Sequence, residues 1–261
     1  MALSTNFPPR MPKAAPSLAR YVRTMHQNKV ALVTGANKGI GHAIATALAA
    51  HGLTVLVGAR DAARGEAAVQ RIAGDARVCP LDVTRADSIA AAADRIQREF
   101  GRLDVLVNNA GIATFGAPST TRLEDVRAVF ETNVFGVIAV TQAMLPLLRL
   151  ARAGRIVNVS TRLGSLSAIT DRTFPMRGVG GVAYGPSKSA LNTITVAFAQ
   201  ELADTNIKVN AACPGHTATD LNGHTGARTV DEAAKHPVRL ALLADNGPTG
   251  TFSNEAGTIP W

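Results

Sequence analysis

Short runs in which nearly every residue is apolar alternate along this chain with longer stretches whose apolar positions recur every three or four residues. Runs of the first kind lie at residues 30–34, 53–59, 77–81, 103–107, 155–159 and 208–212. Their length and continuous apolar character predict strands buried on both faces. The second kind predicts helices over 40–50, 61–73, 86–100, 126–151, 183–203 and 230–244, with Ile89, Ala93 and Ile96 sharing one side of the third and Pro146 interrupting the fourth. A last short strand is expected near 250–253. Strand followed by helix throughout predicts an α/β fold: a doubly wound, Rossmann-like parallel sheet with right-handed crossovers and helices on both faces. No composition break or repeat divides residues 29–261, so they are expected to form one domain, with two longer loops at 162–183 and 214–230 of the kind usually kept for function.

Composition narrows this picture. Of 261 residues, 46% are apolar and only 4% aromatic, so Ala, Val, Leu and Ile must build the core. The net charge of +8 points to nucleic acid only until it is located. Arg10, Lys13, Arg20 and Arg23 stand in residues 1–24 without one acid, which leaves the remainder no basic stripe to speak of. Pro8, Pro9, Pro12 and Pro16 break any periodicity there, so 1–28 is expected to be a disordered leader, with Met25 a possible alternative start. Cys79 and Cys213 are too few for a disulfide framework, and no metal-ligand spacing such as CxxC or HExxH occurs. No apolar run reaches membrane-spanning length. A reducing, cytoplasmic setting without metal, membrane or nucleic-acid partner is the expectation.

The first chemical signal is Thr34-Gly35-Ala36-Asn37-Lys38-Gly39-Ile40-Gly41, between the first strand and the first helix. Gly35, Gly39 and Gly41 permit a tight turn and let a pyrophosphate approach backbone amides at a helix N-terminus. At the end of the second strand, where an acid would accept from the ribose hydroxyls of NAD, stand Ala59 and Arg60. Arg60, with Lys38 from the turn, would neutralise a ribose 2′-phosphate, which favours NADP(H). Asp61, the next residue, could contact the ribose instead, but a helix cap is the favoured reading.

The second signal is Tyr184-Gly185-Pro186-Ser187-Lys188. Residues four apart share a helix face, so phenol and ammonium address one small volume. The ammonium is expected to lower the phenol's pKa and make Tyr184 a general acid and base at the carboxyl ends of the strands.

Together with Asn108-Asn109-Ala110-Gly111 after the fourth strand, Asn133 in the long helix and Pro214-Gly215 after the sixth strand, these motifs resemble the short-chain dehydrogenase/reductases from about Lys29 onward. The 30–40 and 58–61 segments and Thr219-Asp220-Leu221 resemble the NADPH-dependent carbonyl reductase branch. The resemblance implies hydride transfer between NADPH and the carbonyl carbon of a ketone, aldehyde or quinone, reversible to alcohol oxidation. It also implies that Lys188 holds the nicotinamide ribose, that Asn133 holds a water on the proton path, and that Asp82 meets the adenine, with Val83 beside it. By the same resemblance Asn109, Ala110 and Gly111 pass beneath the adenosine ribose, and Pro214, Gly215, Thr217 and Thr219 orient the carboxamide or pyrophosphate. For Asp82 a turn cap competes, and for Asn133 a helix-to-helix hydrogen bond.

One position departs from the family pattern. In Asn158-Val159-Ser160-Thr161 the usual catalytic serine falls at Thr161, whose extra methyl narrows the pocket. Ser160 ranks second, and Ser165 and Ser167 are fallbacks. The substrate loop mixes Leu163, Leu166, Ile169, Phe174 and Met176 with Arg162, Arg172 and Arg177, and His216 and His224 in the later loop read as surface residues. A homo-oligomer paired through the two long helices is expected by analogy. A non-catalytic NADP-binding sensor or scaffold is the alternative function.

Overall fold

The computed structural model describes residues 28–261; the expected leader, Asn28 apart, lies outside the described residues. Eight strands form one sheet in the order β3-β2-β1-β4-β5-β6-β7-β8. They are β1 (Val30–Val33), β2 (Thr54–Ala59), β3 (Ala76–Pro80), β4 (Val105–Asn108), β5 (Arg155–Val159), β6 (Lys208–Ala212), β7 (Phe252–Asn254) and β8 (Gly257–Thr258). All neighbours pair in parallel except β7 with β8, a hairpin that the sequence pattern is too short to announce. Pro80 is accommodated because β3 is an edge strand, where its missing N–H breaks no ladder.

Successive residues of β1 divide between two cores, as a sheet buried on both faces requires. Ala31 and Val33 join α1 (Gly39–Ala50) and α8 (Val230–Ala241) through Ile44, Leu48, Ala234 and Val238. Val30 and Leu32 face α3 (Ala86–Phe100), α5 (Gly136–Arg149) and α7 (Tyr184–Glu201) through Ile96, Met144, Leu148 and Ala199. The remaining helices are α2 (Ala62–Val69), α4 (Leu123–Phe130) and α6 (Leu166–Thr170), so the expected loop at 162–183 carries one short helix preceded by a 3-10 turn at Arg162–Gly164.

The helix expected over 126–151 starts earlier and is not interrupted. From Leu123 to Arg149 it runs through α4, a π turn at Glu131–Phe135 and α5 without a break at Pro146. Pro146 lies on an exposed face, where water can take the carbonyl it leaves unpaired. Joined in this way, the segment is 27 residues long and contains an 18-residue window of mean hydropathy 1.4, so by length and composition alone it could cross a membrane, contrary to the expectation that no such stretch exists. Within the fold 44% of that 18-residue window is buried.

Strand order reverses direction between β1 and β4, and the crevice at their carboxyl ends is where doubly wound sheets take ligands. Both chemical motifs converge there.

Candidate active site

The glycine turn is built by its neighbours. Thr34 Oγ1 accepts from the amides of Asn109 and Ala110, each at 3.0 Å, while Asn109 Nδ2 donates to the carbonyls of Thr34 (2.9 Å) and Gly35 (3.2 Å). The turn and the Asn109-Ala110-Gly111 segment are therefore one unit. Gly35 has φ +63°, and a Cβ there would stand 2.8 Å from Ala110 Cα. At Gly41 a Cβ would stand 2.4 Å from Asn109 Nδ2, so only glycine lets the helix start this close. Helix α1 begins at Gly39 with Lys38 at its N-cap, no side-chain cap and no acid in its first turn. Its free amides thus face the crevice unneutralised and fit an anionic group. Ile40 is half-buried, and the carbonyl of Asn37 accepts from Arg71 Nη2 at 3.4 Å.

At the adenosine end Arg60 is exposed and makes no hydrogen bond or ion pair among the described residues, so its guanidinium is available to a phosphate. Asp61 caps α2, its carboxylate accepting from Arg64 N at 3.0 Å, as expected. Asp82 Oδ1 accepts from the amide (3.0 Å) and hydroxyl (2.7 Å) of Thr84, which hold its carboxyl below the usual range. The cap reading therefore accounts for one of its oxygens. Val83 is buried against α5, where a Cβ on Gly136 would stand 2.8 Å from its carbonyl oxygen. Lys38 is not unpartnered: its ammonium is paired at 2.5 Å with Asp220, on the loop after β6.

Tyr184 opens α7, and Pro186 is tolerated in the first turn because its missing N–H would have had no helical partner. The Tyr184 ring meets Phe115 edge-on at 5.4 Å, and its hydroxyl has no hydrogen-bond partner among the described residues. Lys188 is buried, with Nζ donating to the carbonyl of Val159 at 2.7 Å and lying 6.0 Å from the Tyr184 ring centre. The expected lowering of the phenol pKa is not found. Burial pushes the Tyr184 phenol up, with Cys213 adding to it, and burial lowers Lys188 to about 8. The physical reason is that burial desolvates the phenol, while the Lys188 ammonium is directed at the Val159 carbonyl.

Asn133 sits inside the π turn, a form of helix that recurs at functional sites. Its amide holds Ile112 at both backbone groups, each at 2.9 Å, and Ser187 Oγ at 3.0 Å. Both side-chain protons are engaged, while Oδ1 keeps a second lone pair. Gly111 lies beside this cluster: a Cβ there would be 3.2 Å from Asn133 Oδ1 and 3.7 Å from Lys188 Nζ.

Among the hydroxyl candidates, Thr161 remains half-exposed and accepts from Leu163 N at 3.3 Å, so its own proton is free to be donated. Ser160 is buried and gives its proton to Asn192 Oδ1 at 2.6 Å. Ser165 and Ser167 are taken by the C-terminal segment, donating to the carbonyls of Pro260 (2.6 Å) and Trp261 (2.9 Å). After β6, Pro214 is buried, Gly215 turns with φ +81° over the Arg228 side chain, Thr217 is buried with Oγ1 on the Gly215 carbonyl, and Thr219 precedes a short 3-10 turn.

A family profile described as short chain dehydrogenase matches residues 29–229. The chain belongs to the short-chain dehydrogenase/reductase family. It is 40% identical over 219 residues to the short-chain dehydrogenase anuI of Penicillium roqueforti, covering 80% of this chain and 87% of that protein. To carbonyl reductase [NADPH] 1 of Bos taurus it is 34% identical, covering 90% of this chain and 99% of the relative. The structure of NADPH-bound carbonyl reductase from chicken fatty liver superposes with a TM-score of 0.79 at 29% identity, over 90% of this chain and all of that one. An oxidoreductase of the carbonyl reductase type, with a nicotinamide dinucleotide as coenzyme, is the family-level reading.

Residues that the structure brings to the site, and to which the sequence alone gave no role, include Ser187, Asn192 and Phe115. Ser187 Oγ links Asn133 to the Tyr184 carbonyl (2.7 Å), and Asn192 fixes both Ser160 and the Gly164 carbonyl (3.1 Å). Lys188, Asn192 and Thr195 are polar residues at core spacing along α7, a pattern that marks a buried polar face. Phe115 carried no periodic signal. The loop residues Leu163 and Phe174 are buried, and Arg162 lies 4.7 Å over the Phe174 ring, so they serve packing more than the pocket surface.

Proposed function

We propose that the chain is an NADPH-dependent carbonyl reductase acting reversibly on ketones, aldehydes or quinones, with Tyr184 as general acid and base. The supporting observation is one arrangement: a partnerless phenol, a buried ammonium and an uncapped helix N-terminus meet at the carboxyl ends of β1, β4 and β5. Bound in that crevice, the coenzyme supplies hydride chemistry at a carbonyl carbon. The α1 amides hold the pyrophosphate, and Arg60 holds the 2′-phosphate. Asp82 keeps one carboxylate oxygen for the adenine, while Asn109 to Gly111 support the adenosine ribose. Lys188 binds the nicotinamide ribose, and Thr217 and Thr219 orient the carboxamide or pyrophosphate beside Pro214 and Gly215.

A phenol is protonated at neutral pH and burial pushes its pKa further up, so Tyr184 enters the reductive direction as an acid. It gives its proton to the carbonyl oxygen as that oxygen gains alkoxide character, a base stronger than phenolate. Thr161 donates a second hydrogen bond to the same oxygen. Asn133 and Ser187 hold the start of α7 in register with Ile112. Phe115, 40% exposed beside Tyr184, favours carbonyls with an apolar or aromatic flank.

The test is a carbonyl panel assayed with NADPH and NADH separately, on wild type, Tyr184→Phe and Thr161→Ser. NADPH preference is expected, with Tyr184→Phe reducing turnover by about 10²-fold or more while NADPH binding is kept, and Thr161→Ser retaining activity. Equal turnover by wild type and Tyr184→Phe removes the acid. Coenzyme binding with no turnover on any carbonyl favours the sensor or scaffold alternative.

A further inference from the structure

The loop after β6 is a preformed body. Asn222 Nδ2 donates to the Thr217 carbonyl (2.9 Å), Thr219 N to Asn222 Oδ1 (3.3 Å) and His224 N to the Thr219 carbonyl (2.9 Å). Gly226 presses on Thr217 so closely that a Cβ would stand 2.1 Å from its carbonyl carbon. The base is fixed by Arg228, whose stem lies under Gly215 and whose guanidinium reaches the Glu232 carbonyl (2.9 Å) and Glu255 (2.8 Å).

The tip is held differently. Asp220 Oδ2 pairs with Lys38 Nζ at 2.5 Å, across 182 residues of sequence, and Asp220 Oδ1 meets His224 Nε2 at 2.8 Å. His224 adopts φ +60°, an uncommon backbone state for a residue other than glycine, and in it the ring reaches the carboxylate. Among the described residues the Lys38–Asp220 pair is the only hydrogen bond or ion pair joining residues 34–41 to residues 214–229. Lys38 is moreover the N-cap of α1, where the helix dipole disfavours a cation unless an anion accompanies it. Asp220 is that anion.

We infer that Asp220 is a positioning residue of the coenzyme site, fixing the 216–228 loop onto the glycine turn through Lys38 and so slowing coenzyme release. The inference rests on the proposal that this crevice binds a nicotinamide dinucleotide. An ammonium has three N–H donors, so Lys38 can hold Asp220 and a phosphate oxygen together and keep the two anions from repelling one another. Loss of Asp220 then loosens the loop for either coenzyme, whereas loss of Lys38 also removes a charge that only NADPH uses.

The experiment compares wild type, Asp220→Asn, Lys38→Met and the double swap Lys38→Asp/Asp220→Lys. Release of NADPH and of NADH is followed by stopped-flow fluorescence, and hydrogen exchange of 216–228 is measured without coenzyme. Since both partners are largely exposed, Asp220→Asn should speed release of both coenzymes by about two- to fivefold and raise exchange in the loop. Lys38→Met should affect NADPH more than NADH. The swap should restore NADH release and loop protection. The inference fails if Asp220→Asn leaves release and exchange unchanged, if it slows NADPH release, or if the swap behaves no better than the single variants. Should neither coenzyme bind, the proposed function has failed and the exchange comparison alone decides whether the latch exists.

Discussion

Replacing Lys188 by Met should make the protein more stable at neutral pH while abolishing its activity. Lys188 is 5% exposed and its ammonium hydrogen-bonds only a backbone carbonyl; burial lowers its pKa from 10.5 to about 8. A downward shift of this size in a cation means that the folded state holds the charge at a disadvantage of about 3 kcal/mol wherever both states are protonated. Methionine removes that penalty but leaves the Val159 carbonyl without its donor, at about 1 kcal/mol, so a net gain of about 2 kcal/mol is expected at pH 7. The sign follows from linkage. Below pH 8 folded and unfolded chains both carry the proton and the penalty is complete. Between about 8 and 10.5 the unfolded chain binds more protons, wild-type stability rises relative to the variant, and the advantage disappears. Urea denaturation of both proteins at pH 7, 8, 9 and 10 measures the difference directly. A variant less stable than wild type at pH 7, or a difference that does not change with pH, would refute the reasoning.

Two further outcomes can be checked independently. Arg60→Ala should raise KM for NADPH about tenfold or more and leave KM for NADH within a factor of two, because among the described residues its guanidinium makes no ion pair or hydrogen bond and, beyond a weak pull on Asp82, is left to the 2′-phosphate; equal effects on the two coenzymes would place it elsewhere. His236 is buried, with Nε2 on Ser253 Oγ at 3.0 Å and Arg239 Nη2 on Nδ1 at 3.0 Å, and burial together with Arg239 lowers its pKa to about 4. Stability should therefore fall by up to about 3 kcal/mol as pH drops from 6.5 toward 4, where only the unfolded chain takes up the proton, and His236→Gln should flatten that dependence in acid-range urea melts.

How far the sequence was legible depends on whether a feature is periodic, local or tertiary. Strand and helix order could be read because both faces of the sheet are covered, so each strand is a continuous apolar run and each helix carries an apolar stripe. The β7–β8 hairpin was missed because Gly257–Thr258 is two residues long, and the uninterrupted helix through Pro146 was missed because exposure of that proline is set by packing. In the site, the glycine turn and the Tyr184–Lys188 spacing were visible because their chemistry is local. The electrostatics were not. That Lys188 turns to Val159 and Lys38 to Asp220 are facts about segments 29 and 182 residues apart, which no local pattern contains. Ser165 and Ser167 were indistinguishable in sequence from catalytic candidates because the C-terminal segment that occupies them arrives only on folding.

The same division explains why the crevice can carry so many unfavourable local features. An uncapped helix start, a partnerless phenol and a desolvated ammonium each lower stability, and all lie at the ends of β1, β4 and β5. Directly beneath them runs a buried line of polar side chains. Asn108 Nδ2 donates to Asn158 Oδ1 (2.9 Å) and Thr141 (3.1 Å), and Asn158 Nδ2 donates to Thr195 (2.9 Å). Ser160 and Asn192 continue it to the Gly164 carbonyl. Apolar residues would pack these positions without any need for exact partners, but they would add no directional tie between α7 and the β4–β5 ladder. Hydrogen bonds with fixed partners set the register of the strands carrying Asn109 and Thr161 against the helix carrying Tyr184 and Lys188. The site is thus held by directional bonds where hydrophobic packing, being non-directional, would leave the reacting groups loosely placed.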